Sequence, residues 1–428
     1  MKCWKRIHFV GIKGIGISGL AQYFYHLGLK ITGSDFPQKF QTDLILNRLK
    51  IPITKFSPKN INPNIDLVIY STAYNKNHPE IKKAKQLNIP QKSYVEILAK
   101  IVNSKNNIVV SGTHGKTTTC ALCGYLLEVA GFDPLVFCGG IVKNWNSNFR
   151  FGKSSWVVTE GDEYQEKFLK FTPDYLLITN VDYDHPDYFP TKKSYYQAFL
   201  KLKKKVTKKV FYSRKPSKSF KKFLSQINLS LFGQQNQSNA YLVYRLAKEL
   251  NISKETIKKA FETFKGVKRR QEIIAKLKTK NSKFETIIID DYAHHPQEIK
   301  ATLLALKQKF SEYQILAIFQ PHTFSRTKVF LKQFATCFKF ADKVYLLPIY
   351  SSVRERKGKI DLDKLLIEET RKYHSRAELV RSISGLNKKI KLSLKKNSLI
   401  VTLGAGDIWK IAHQLAKKLN LYNYKYFG

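Results

Sequence analysis

An apolar strand that runs into a glycine-rich turn and then a helix is the feature that most constrains the fold of this chain. Ile108 to Val110 supply the strand, and residues 111–119 read Ser-Gly-Thr-His-Gly-Lys-Thr-Thr-Thr. The backbone N–H groups of such a turn, together with the positive end of the following helix dipole, fit the oxygens of a triphosphate. Lys116 can reach the outer phosphates and Thr117 can bind magnesium, so the sequence predicts an ATP or GTP site.

The spacing of this loop differs from that of the common P-loop, in which a glycine would occupy position 110. Val110 stands there, so assignment to a generic ATPase class is only partly supported. An ordinary turn with glycine at positive φ is the alternative, but the order of strand, turn and helix favours the phosphate site.

Length and composition favour several domains without a membrane segment. The 428 residues suggest about three domains, and 43% of them are hydrophobic. The apolar start, Ile7 to Leu20, is interrupted by charged residues and glycines, so we expect neither a membrane span nor a signal peptide, and a cytoplasmic location. The five scattered cysteines fit reduced thiols. Cys120 and Cys123 form a C-x-x-C within a predicted helix, where buried side chains are favoured over metal or redox chemistry.

The net charge of +43 raises the alternative of a nucleic-acid-binding protein. The excess lysine is spread along the whole chain, and no RNA-binding aromatic motif or zinc finger accompanies it. The densest runs, 201–209 and 214–222, are more typical of solvated surface. We therefore expect no nucleic-acid partner, although this charge would attract anionic nucleotides.

Three segments, residues 1–105, 106–267 and 268–428, each alternate strand with helix. This pattern predicts an α/β fold of parallel sheets joined by right-handed crossovers. Polar clusters follow the predicted strands, at the carboxyl ends where open α/β sheets bind ligands. We expect a shared cleft between domains to collect these clusters.

In the first segment, a glycine-rich loop, Gly11 to Gly16, joins the strand Ile7 to Val10 to a helix from about Ser18 to Leu27. Asp35 follows the loop at a distance typical of an acid near a ribose, and Ser71 follows a later strand. The glycine order G-x-x-G-x-G does not match the NAD fingerprint, so the segment predicts a nucleotide site without indicating NAD.

Acidic residues end two strands of the second segment. Trp156 to Thr159 leads into Glu160 to Glu163, and Tyr175 to Thr179 leads into Asn180 to His185. Hard cations choose oxygen ligands, and a triphosphate site needs its charge neutralised, so these strand ends predict magnesium ligands. Each acid by itself would more often be a helix cap or a surface charge, and His185 by itself a structural histidine.

Six motifs occur in order along the chain, at residues 8–16, 111–118, 160–163, 290–296, 319–326 and 404–407. In this order they resemble the Mur ligases of bacterial cell-wall synthesis, over essentially the whole chain. The resemblance implies a three-domain Mur ligase architecture: a Rossmann-like N-terminal domain for the UDP-sugar (1–105), a central P-loop-type ATPase domain (106–267) and a Rossmann-like C-terminal domain that closes over ATP and the amino acid (268–428).

Within the family, the resemblance is to members that add L-alanine to the lactyl carboxylate of UDP-N-acetylmuramate through an acyl phosphate. It implies ATP as co-substrate and Mg2+ as cofactor. The expected partners are these small molecules, without nucleic acid or membrane insertion, and the expected state is a monomer or a weak homodimer.

The resemblance also implies roles for individual residues. The implied ATP-binding residues are Gly112, Thr113, His114, Gly115, Lys116, Thr117, Thr118, Asn236, Asn239, Arg270 and Asp291. The implied substrate-binding residues are Gly11, Gly14, Gly16, Ser18, Asp35, Ser71, Tyr292, His294 and Arg326. The implied metal ligands are Thr117, Glu160 and His185, and the implied catalytic residues are Lys116, His185, His294 and Arg326.

Three positions depart from the family pattern. Gln235 stands where histidine is usual and Gln271 where phenylalanine is common, and both are expected to alter nucleotide packing slightly. Lys13 replaces a frequent glycine, and it either contacts the diphosphate or points outward. His294 is the candidate to orient or deprotonate the amine of alanine, with a helix-capping role next to His295 as an equal alternative.

Three alternatives remain open from the sequence. A related ligase attaches a recycled tripeptide to the same sugar nucleotide, but residues 319–327 resemble the alanine-adding members better. A folate polyglutamate ligase shares the phosphate loop but would lack the first segment. A basic nucleic-acid-binding NTPase would explain the charge, and it would show ATP hydrolysis stimulated by RNA or DNA.

Overall fold

A computed structural model describes residues 4–279, 284–350, 360–394, 397–420 and 424–426. The chain forms two compact units. The first comprises residues up to 183 together with 193–230 and 238–267, and the second comprises 184–192, 231–237 and 268 onward. The predicted domain boundaries at 105 and 267 stay a prediction.

The first sheet is a five-stranded parallel sheet within the first unit, in the order β3-β2-β1-β4-β5. Its strands are β1 Arg6–Val10, β2 Lys30–Ser34, β3 Ile53–Thr54, β4 Leu67–Tyr70 and β5 Gln91–Ser93. Its helices are α1 Ile15–His26, α2 Asp43–Arg48, α3 Pro79–Gln86 and α4 Tyr94–Asn103, with a 3-10 helix at Pro58–Asn60. Helix α1 begins before the predicted Ser18, because Gly14 takes the extended N-cap conformation.

The second sheet, also in the first unit, has six strands in the order β11-β10-β6-β9-β7-β8. The strands are β6 Asn106–Ser111, β7 Leu135–Val142, β8 Ser147–Arg150, β9 Trp156–Gly161, β10 Tyr175–Ile178 and β11 Lys209–Tyr212. The helices are α5 Lys116–Val129, α6 Lys192–Lys203, α7 Lys218–Leu224, α8 Gln234–Glu249 and α9 Lys254–Thr263, with a 3-10 helix at Tyr164–Lys170. Strand β6 lies centrally between β10 and β9, so the loop that follows it meets the ends of both neighbours.

A buried polar cluster joins helix α1 to the hairpin of β7 and β8 within the first unit. The Gln22 side-chain amide donates to Asn148 Oδ1 at 2.9 Å, and the Ser147 hydroxyl donates to Gln22 Oε1 at 2.7 Å. Because buried polar groups need such partners, the cluster fixes one orientation of the helix on the hairpin.

The third sheet lies in the second unit and has seven strands in the order β16-β15-β14-β17-β13-β12-β18. The strands are β12 Glu272–Thr279, β13 Glu285–Asp291, β14 Gln314–Phe319, β15 Lys343–Leu346, β16 Ala377–Leu379, β17 Ser398–Leu403 and β18 Tyr424–Tyr426. The helices are α10 Pro296–Lys309, α11 Phe324–Val329, α12 Leu331–Thr336, α13 Leu362–Arg371, α14 Ile383–Ser393 and α15 Ile408–Asn420. Ile288, Leu316 and Ile400, from three neighbouring strands, are buried in one cluster with Leu415 of α15.

The prediction of parallel sheets is confirmed for most strand pairs of the described residues, including β2 with β3, β10 with β11 and β15 with β16, and is wrong for three pairs. Strands β7 and β8 pair antiparallel, as do β12 and β13, and β12 and β18. All three pairs lie toward sheet edges. The strands β7 and β8, and likewise β12 and β13, are consecutive in the chain, and a short connection favours antiparallel pairing.

Four cysteines of the described residues are buried free thiols: Cys120, Cys123, Cys138 and Cys337. The predicted burial of Cys120 and Cys123 is thereby confirmed. The remaining cysteine, Cys3, lies outside the described residues.

The described helices are too short or too polar to match the apolar thickness of a bilayer. None of them combines the length and the apolar character that crossing a membrane would need.

Candidate active site

The loop after β6 takes a backbone conformation that only glycine accommodates at two positions. Gly112 has φ +133°, and a Cβ there would lie 2.2 Å from Thr179 Oγ1. Gly115 has φ +81° and forms the N-cap of α5, where a Cβ would lie 2.8 Å from the Asn239 amide. Since both clashes are with buried neighbours, the glycines are required by the loop itself. The result is a helix N-terminus whose unpaired N–H groups can receive phosphate oxygens.

Lys116 folds back over this loop. Its Nζ donates to the carbonyl oxygens of Gly112 at 2.6 Å and Thr113 at 3.0 Å, and it pairs with Glu163 Oε2 at 2.9 Å. Burial alone would lower the pKa of Lys116, but Glu163 and neighbouring acids outweigh that effect and raise it, so the ammonium stays charged. A permanent cation at the loop supplies the charge that a triphosphate needs.

Thr117 and Glu160 bring two oxygen donors together at the start of α5. The Thr117 hydroxyl donates to Glu160 Oε2 at 3.1 Å, and Gly139 N–H donates to the other carboxylate oxygen. Adjacent ligands of an octahedral Mg2+ ion, at about 2.0–2.1 Å from the metal, are about 2.9 Å apart. The observed spacing and the hard oxygen donors therefore fit magnesium.

The residue Asn180, which follows β10, supports the phosphate loop. Its Oδ1 accepts a hydrogen bond from His114 N at 2.9 Å, and its carbonyl oxygen accepts one from Thr113 N at 3.1 Å. The Thr113 hydroxyl donates to the carbonyl of Asp182 at 2.6 Å. Neither Asn180 nor Glu163 was among the predicted site residues, although both follow strands whose ends the sequence singled out. Their partners are distant in sequence, so the pairing was not predictable.

In the first sheet, Asp35 is buried and its carboxylate receives two backbone N–H groups, from Lys13 and Phe36, each at 2.8 Å. Lys13 is itself 9% exposed, and its Nζ donates to Phe36 O at 2.9 Å and lies 3.3 Å from Asp43. The outward orientation considered for Lys13 is therefore wrong, because the side chain ties down the segment after β2.

Other predicted substrate residues of the first sheet have identifiable local partners. Ser18 is fully buried; its hydroxyl donates to Ile15 O at 3.0 Å. A Cβ at Gly11 would lie 2.4 Å from Tyr74, and one at Gly16 would lie 3.0 Å from Tyr94. These positions are constrained by packing as well as by any ligand. Roles for Gly11, Gly14, Gly16, Ser18, Asp35 and Ser71 in substrate binding stay predictions.

In the second unit, Asp184 organises two of the predicted residues. The Arg326 guanidinium holds its carboxylate with two hydrogen bonds, Nε to Oδ1 at 3.1 Å and Nη2 to Oδ2 at 3.3 Å. His185 Nε2 lies 3.9 Å from Oδ2. Burial by itself would raise the pKa of Asp184, but Arg326 and nearby histidines reverse this and hold it well below its usual range. Asp184 thus orients Arg326 and His185, although it was not among the predicted site residues.

The two adjacent histidines have different functions. His295 is the N-cap of α10: its Nδ1 accepts from Gln297 N at 3.3 Å, and Glu298 completes a capping box. His294 instead places Nδ1 3.0 Å from the carbonyl of Tyr292. A carbonyl can only accept, so Nδ1 carries the proton and Nε2 presents a lone pair. The capping alternative for His294 is therefore wrong.

Burial is the main reason that the pKa of His294 falls to about 3, with Arg326 contributing in the same direction and Glu298 opposing it. The ring is therefore neutral near pH 7, with a pKa that makes it a weak base in the absence of substrates. Asp291 shows the opposite response: burial raises its pKa to about 6, although Arg270 and backbone hydrogen bonds work against the shift.

We expect His294 to remain uncharged as the pH is lowered from about 7.5 to about 5. Nitrogen-15 NMR of labelled histidines measures this directly, with the His294→Gln variant giving the assignment. The low pKa of His294 also makes the free energy of unfolding depend on pH. In the unfolded chain the ring takes up a proton below about pH 6.5, whereas in the folded protein it stays neutral, so stability is lost as the pH falls from about 6.5 toward 3. His294→Gln should reduce this loss by about 2 kcal/mol at about pH 5. The exposed His413→Gln variant is the control, and protonation of His294 near pH 6.5 would contradict the expectation.

Arginines 269 and 270 differ in their environments. Arg269 is buried and bonds Asp290 at 3.0 Å and the Gly404 carbonyl at 2.6 Å, so it holds β13 to the turn after β17. Arg270 places its guanidinium 4.9 Å from the Tyr292 ring centroid. Arg269 lies at a similar distance from the same ring, 5.0 Å, so within the described residues the two arginines differ in the hydrogen bonds of Arg269 to Asp290 and Gly404. Nucleotide binding by Arg270 stays a prediction.

The predicted adenine segment lies on α8. The Asn236 side-chain amide donates to Gln271 Oε1 at 3.0 Å, and Asn239 is buried beside Gly115. Gln271 also donates its backbone N–H to Asp291 at 3.0 Å. The glutamine that departs from the family pattern therefore supplies a hydrogen-bond partner for Asn236, where phenylalanine could not. Roles in nucleotide binding for Asn236, Asn239 and Asp291 stay predictions.

Models of one protein family match consecutive parts of the chain. The Mur ligase family catalytic domain matches residues 6–106, the Mur ligase middle domain 110–282 and the Mur ligase glutamate ligase domain 269–406. A UDP-N-acetylmuramate--L-alanine ligase of Desulfitobacterium hafniense is 35% identical over 450 aligned residues, covering 96% of this chain and 99% of that protein.

Solved structures agree with this assignment. The UDP-N-acetylmuramate-alanine ligase MurC of Thermotoga maritima superposes with a TM-score of 0.81 at 27% identity, covering 97% of this chain and 99% of that one. A murein peptide ligase of Psychrobacter arcticus shares the fold at a TM-score of 0.68 and 21% identity, covering 97% and 98%. With its mostly parallel sheets, the chain belongs to the Mur ligase family and has the three-domain α/β architecture of that family.

Proposed function

We propose that this chain is an ATP-dependent ligase of peptidoglycan precursor synthesis. It would join the amine of L-alanine to the lactyl carboxylate of UDP-N-acetylmuramate and release ADP and phosphate. The observation that carries this proposal is the identity of 35% along 96% of the chain to a protein named for that reaction. The charged loop of the first unit and the neutral His294 of the second supply chemistry that the reaction needs.

The first step is transfer of the γ-phosphoryl group. A carboxylate is a poor electrophile, so one of its oxygens attacks the γ-phosphorus, ADP leaves, and an acyl phosphate results. The protein needs no nucleophile of its own for this step, and it acts by positioning and by charge. In the proposal, the N–H groups of Gly115 and of the first turn of α5, together with the Lys116 ammonium, hold the phosphates. Thr113 and His114 shape the loop, because their N–H groups donate to Asn180.

Thr117 and Glu160 are the proposed magnesium ligands in the first unit, and His185 is the proposed ligand in the second. When bound, magnesium neutralises phosphate charge during the transfer. Glu163 has a separate function: its ion pair keeps Lys116 charged and in the loop. Asp184 is a positioning residue for His185 and Arg326, because its carboxylate contacts both side chains.

The second step is attack by the neutral amine of alanine on the acyl carbon, with phosphate as the leaving group. The amine must lose a proton, and His294 Nε2 is the proposed acceptor because Nδ1–H donates to Tyr292. The Tyr292 ring and the Arg326 guanidinium are proposed to line the binding site for alanine and the reacting carboxylate. The residues Gly11, Gly14, Gly16, Asp35 and Ser71 are proposed for the UDP group.

Product analysis tests the proposal. Purified protein with ATP, magnesium and UDP-N-acetylmuramate should form a product whose mass increases by one alanine residue when L-alanine is present. Serine, glycine and the tripeptide L-alanyl-γ-D-glutamyl-diaminopimelate are the matched alternatives. Formation of the tripeptide conjugate alone would overturn the proposal in favour of the murein peptide ligase activity.

A second measurement tests the alternative that the net positive charge suggests, an NTPase that depends on nucleic acid. RNA or DNA is added to the protein without the sugar nucleotide, and ADP release is measured. We expect no stimulation, because phosphoryl transfer in the proposal requires the lactyl carboxylate as acceptor. Strong stimulation would instead favour a nucleic-acid-dependent NTPase.

A further inference from the structure

Two buried thiols and a carboxylate meet directly beside the proposed magnesium ligands. Cys120 lies on α5, Cys138 on β7 and Glu160 on β9, and their ligand atoms are all within 4.8 Å of one another. All three belong to the first unit. Two thiols and one carboxylate are a donor set typical of soft or borderline divalent cations and differ from the oxygen donors preferred by magnesium.

One ligand spacing of the cluster, between Cys138 and Glu160, agrees with tetrahedral coordination. Cys138 Sγ lies 3.6 Å from Glu160 Oε1 and 3.6 Å from the carbonyl oxygen of Thr117. In a tetrahedral zinc site, with Zn–S of about 2.3 Å and Zn–O of about 2.1 Å, a sulfur and an oxygen ligand are about 3.6 Å apart. The Cys138 and Glu160 donors are therefore already at the spacing of two zinc ligands, and the Cys120 thiol lies within 4.8 Å of both.

The surrounding backbone holds the carboxylate in place. Gly139 N–H donates to Glu160 Oε1, and a Cβ at Gly139 would lie only 2.7 Å from the carboxylate. Cys120 Sγ contacts the carbonyl of Phe137 at 3.5 Å, which fixes the thiol on the side of β7. Glu160 thus directs Oε1 toward the thiols and Oε2 toward Thr117.

The C-x-x-C pair of the sequence is not this site. Cys123 is fully buried three positions after Cys120 on the same helix, and it is not a member of the cluster. Cys138 is the second thiol, supplied by the neighbouring strand. Two thiols therefore meet across two elements, where the sequence spacing alone gave no indication of it.

We propose that Cys120, Cys138 and Glu160 form a binding site for one thiophilic divalent cation of the zinc class, and that its occupation inhibits nucleotide binding. On binding, each thiol releases its proton to solvent and the ion takes Sγ, Sγ and Oε1 as ligands. The inhibitory part rests on the proposed function, because it assigns Glu160 to magnesium. A carboxylate that already neutralises one dication attracts a second one less strongly.

Cobalt(II) is the probe, because thiolate ligation gives it a charge-transfer absorption in the near ultraviolet. Titration of the reduced, nucleotide-free protein should give this band with about one equivalent bound. Cys120→Ala, Cys138→Ala and the near-isosteric Cys138→Ser should each weaken binding by at least about 100-fold. Cys123→Ala, which removes a buried thiol from the same helix, is the matched control and should bind as the wild type does.

The result that would overturn the site is absence of the band in the wild type, or its persistence in folded Cys138→Ser. Melting temperatures of all variants establish that they are folded. In a second arm, zinc should weaken magnesium-dependent binding of a fluorescent ATP analogue to the wild type and leave Cys138→Ser unaffected. Equal sensitivity of both proteins would refute the inhibitory part. Failure of the analogue to bind without zinc would count against the proposed function instead.

Discussion

Replacing Lys116 with alanine should reduce ADP release that depends on UDP-N-acetylmuramate and alanine by about a thousandfold or more. The ammonium is held inside the phosphate loop by two carbonyl oxygens and by Glu163. A cation fixed before the reaction stabilises the charge of the phosphoryl-transfer transition state without reorganisation, and the loss of such a group costs several orders of magnitude in rate. Steady-state kinetics with coupled detection of ADP measures the effect.

Two controls separate catalysis from folding in this experiment. Lys116→Ala leaves the buried Glu163 carboxylate without its cation, which destabilises the fold. The double variant Lys116→Ala/Glu163→Gln removes that buried charge, so its melting temperature should recover while its activity stays lost. Lys248→Ala removes the same charge from an exposed site on α8 and should be active. Substantial turnover by the folded double variant would remove Lys116 from the mechanism.

Replacing Arg326 with methionine should lower the free energy of unfolding by about 3–5 kcal/mol. Methionine replaces the apolar stem of the side chain but not the guanidinium, so the Asp184 carboxylate is buried without its cation. The Asp184 and Arg326 side chains are only 5% and 8% exposed. Water can therefore do little to solvate the charge that remains when one partner of the pair is removed. Calorimetry or urea unfolding followed by circular dichroism measures the loss.

Two further variants test whether the unpaired Asp184 charge causes the loss of stability. Asp184→Asn/Arg326→Met removes both charges and should recover most of the stability, because a buried pair is costly mainly when one partner is missing. Lys364→Met breaks an exposed ion pair with Glu368 and should have little effect. An Arg326→Met protein as stable as the wild type would show that the pair does not hold this part of the fold.

The pH dependence of the same pair has a definite sign. The pKa of Asp184 is held below its usual range in the folded state, so its contribution to stability is present above the ordinary carboxyl pKa and is lost as the pH falls. In Asp184→Asn/Arg326→Met this contribution is absent. Acid unfolding of the double variant should therefore be less steep than that of the wild type.

The phosphate loop could be predicted because its chemistry is contiguous in the chain. A strand, two glycines, a lysine and a threonine within residues 106–118 determine the local geometry almost without help from elsewhere. The sequence also predicted Glu160 as an acidic ligand, because it follows a buried strand. Its partner was not, since the contact with Thr117 spans 43 positions of the sequence.

Assignments that depend on side-chain partners could not be made from the sequence. His294 and His295 are neighbours with the same chemistry, and only the extended φ and ψ of His295 show which one caps α10. Asp184 looks like any other acid until Arg326, 142 positions away, is found against it. Lys13 was expected to contact the diphosphate or to point outward, and its bonds to the segment after β2 exclude the outward orientation.

The sequence alone determined the alternation of strands and helices, the conformation of the phosphate loop and the resemblance to one family, because hydrophobic period, glycine and motif order act over short stretches of chain. The tertiary structure decided which charges are paired, which histidine keeps a free nitrogen and which thiols meet. Those properties depend on burial and on distances of a few ångströms between residues far apart in the chain, and one sequence does not encode them in any local pattern.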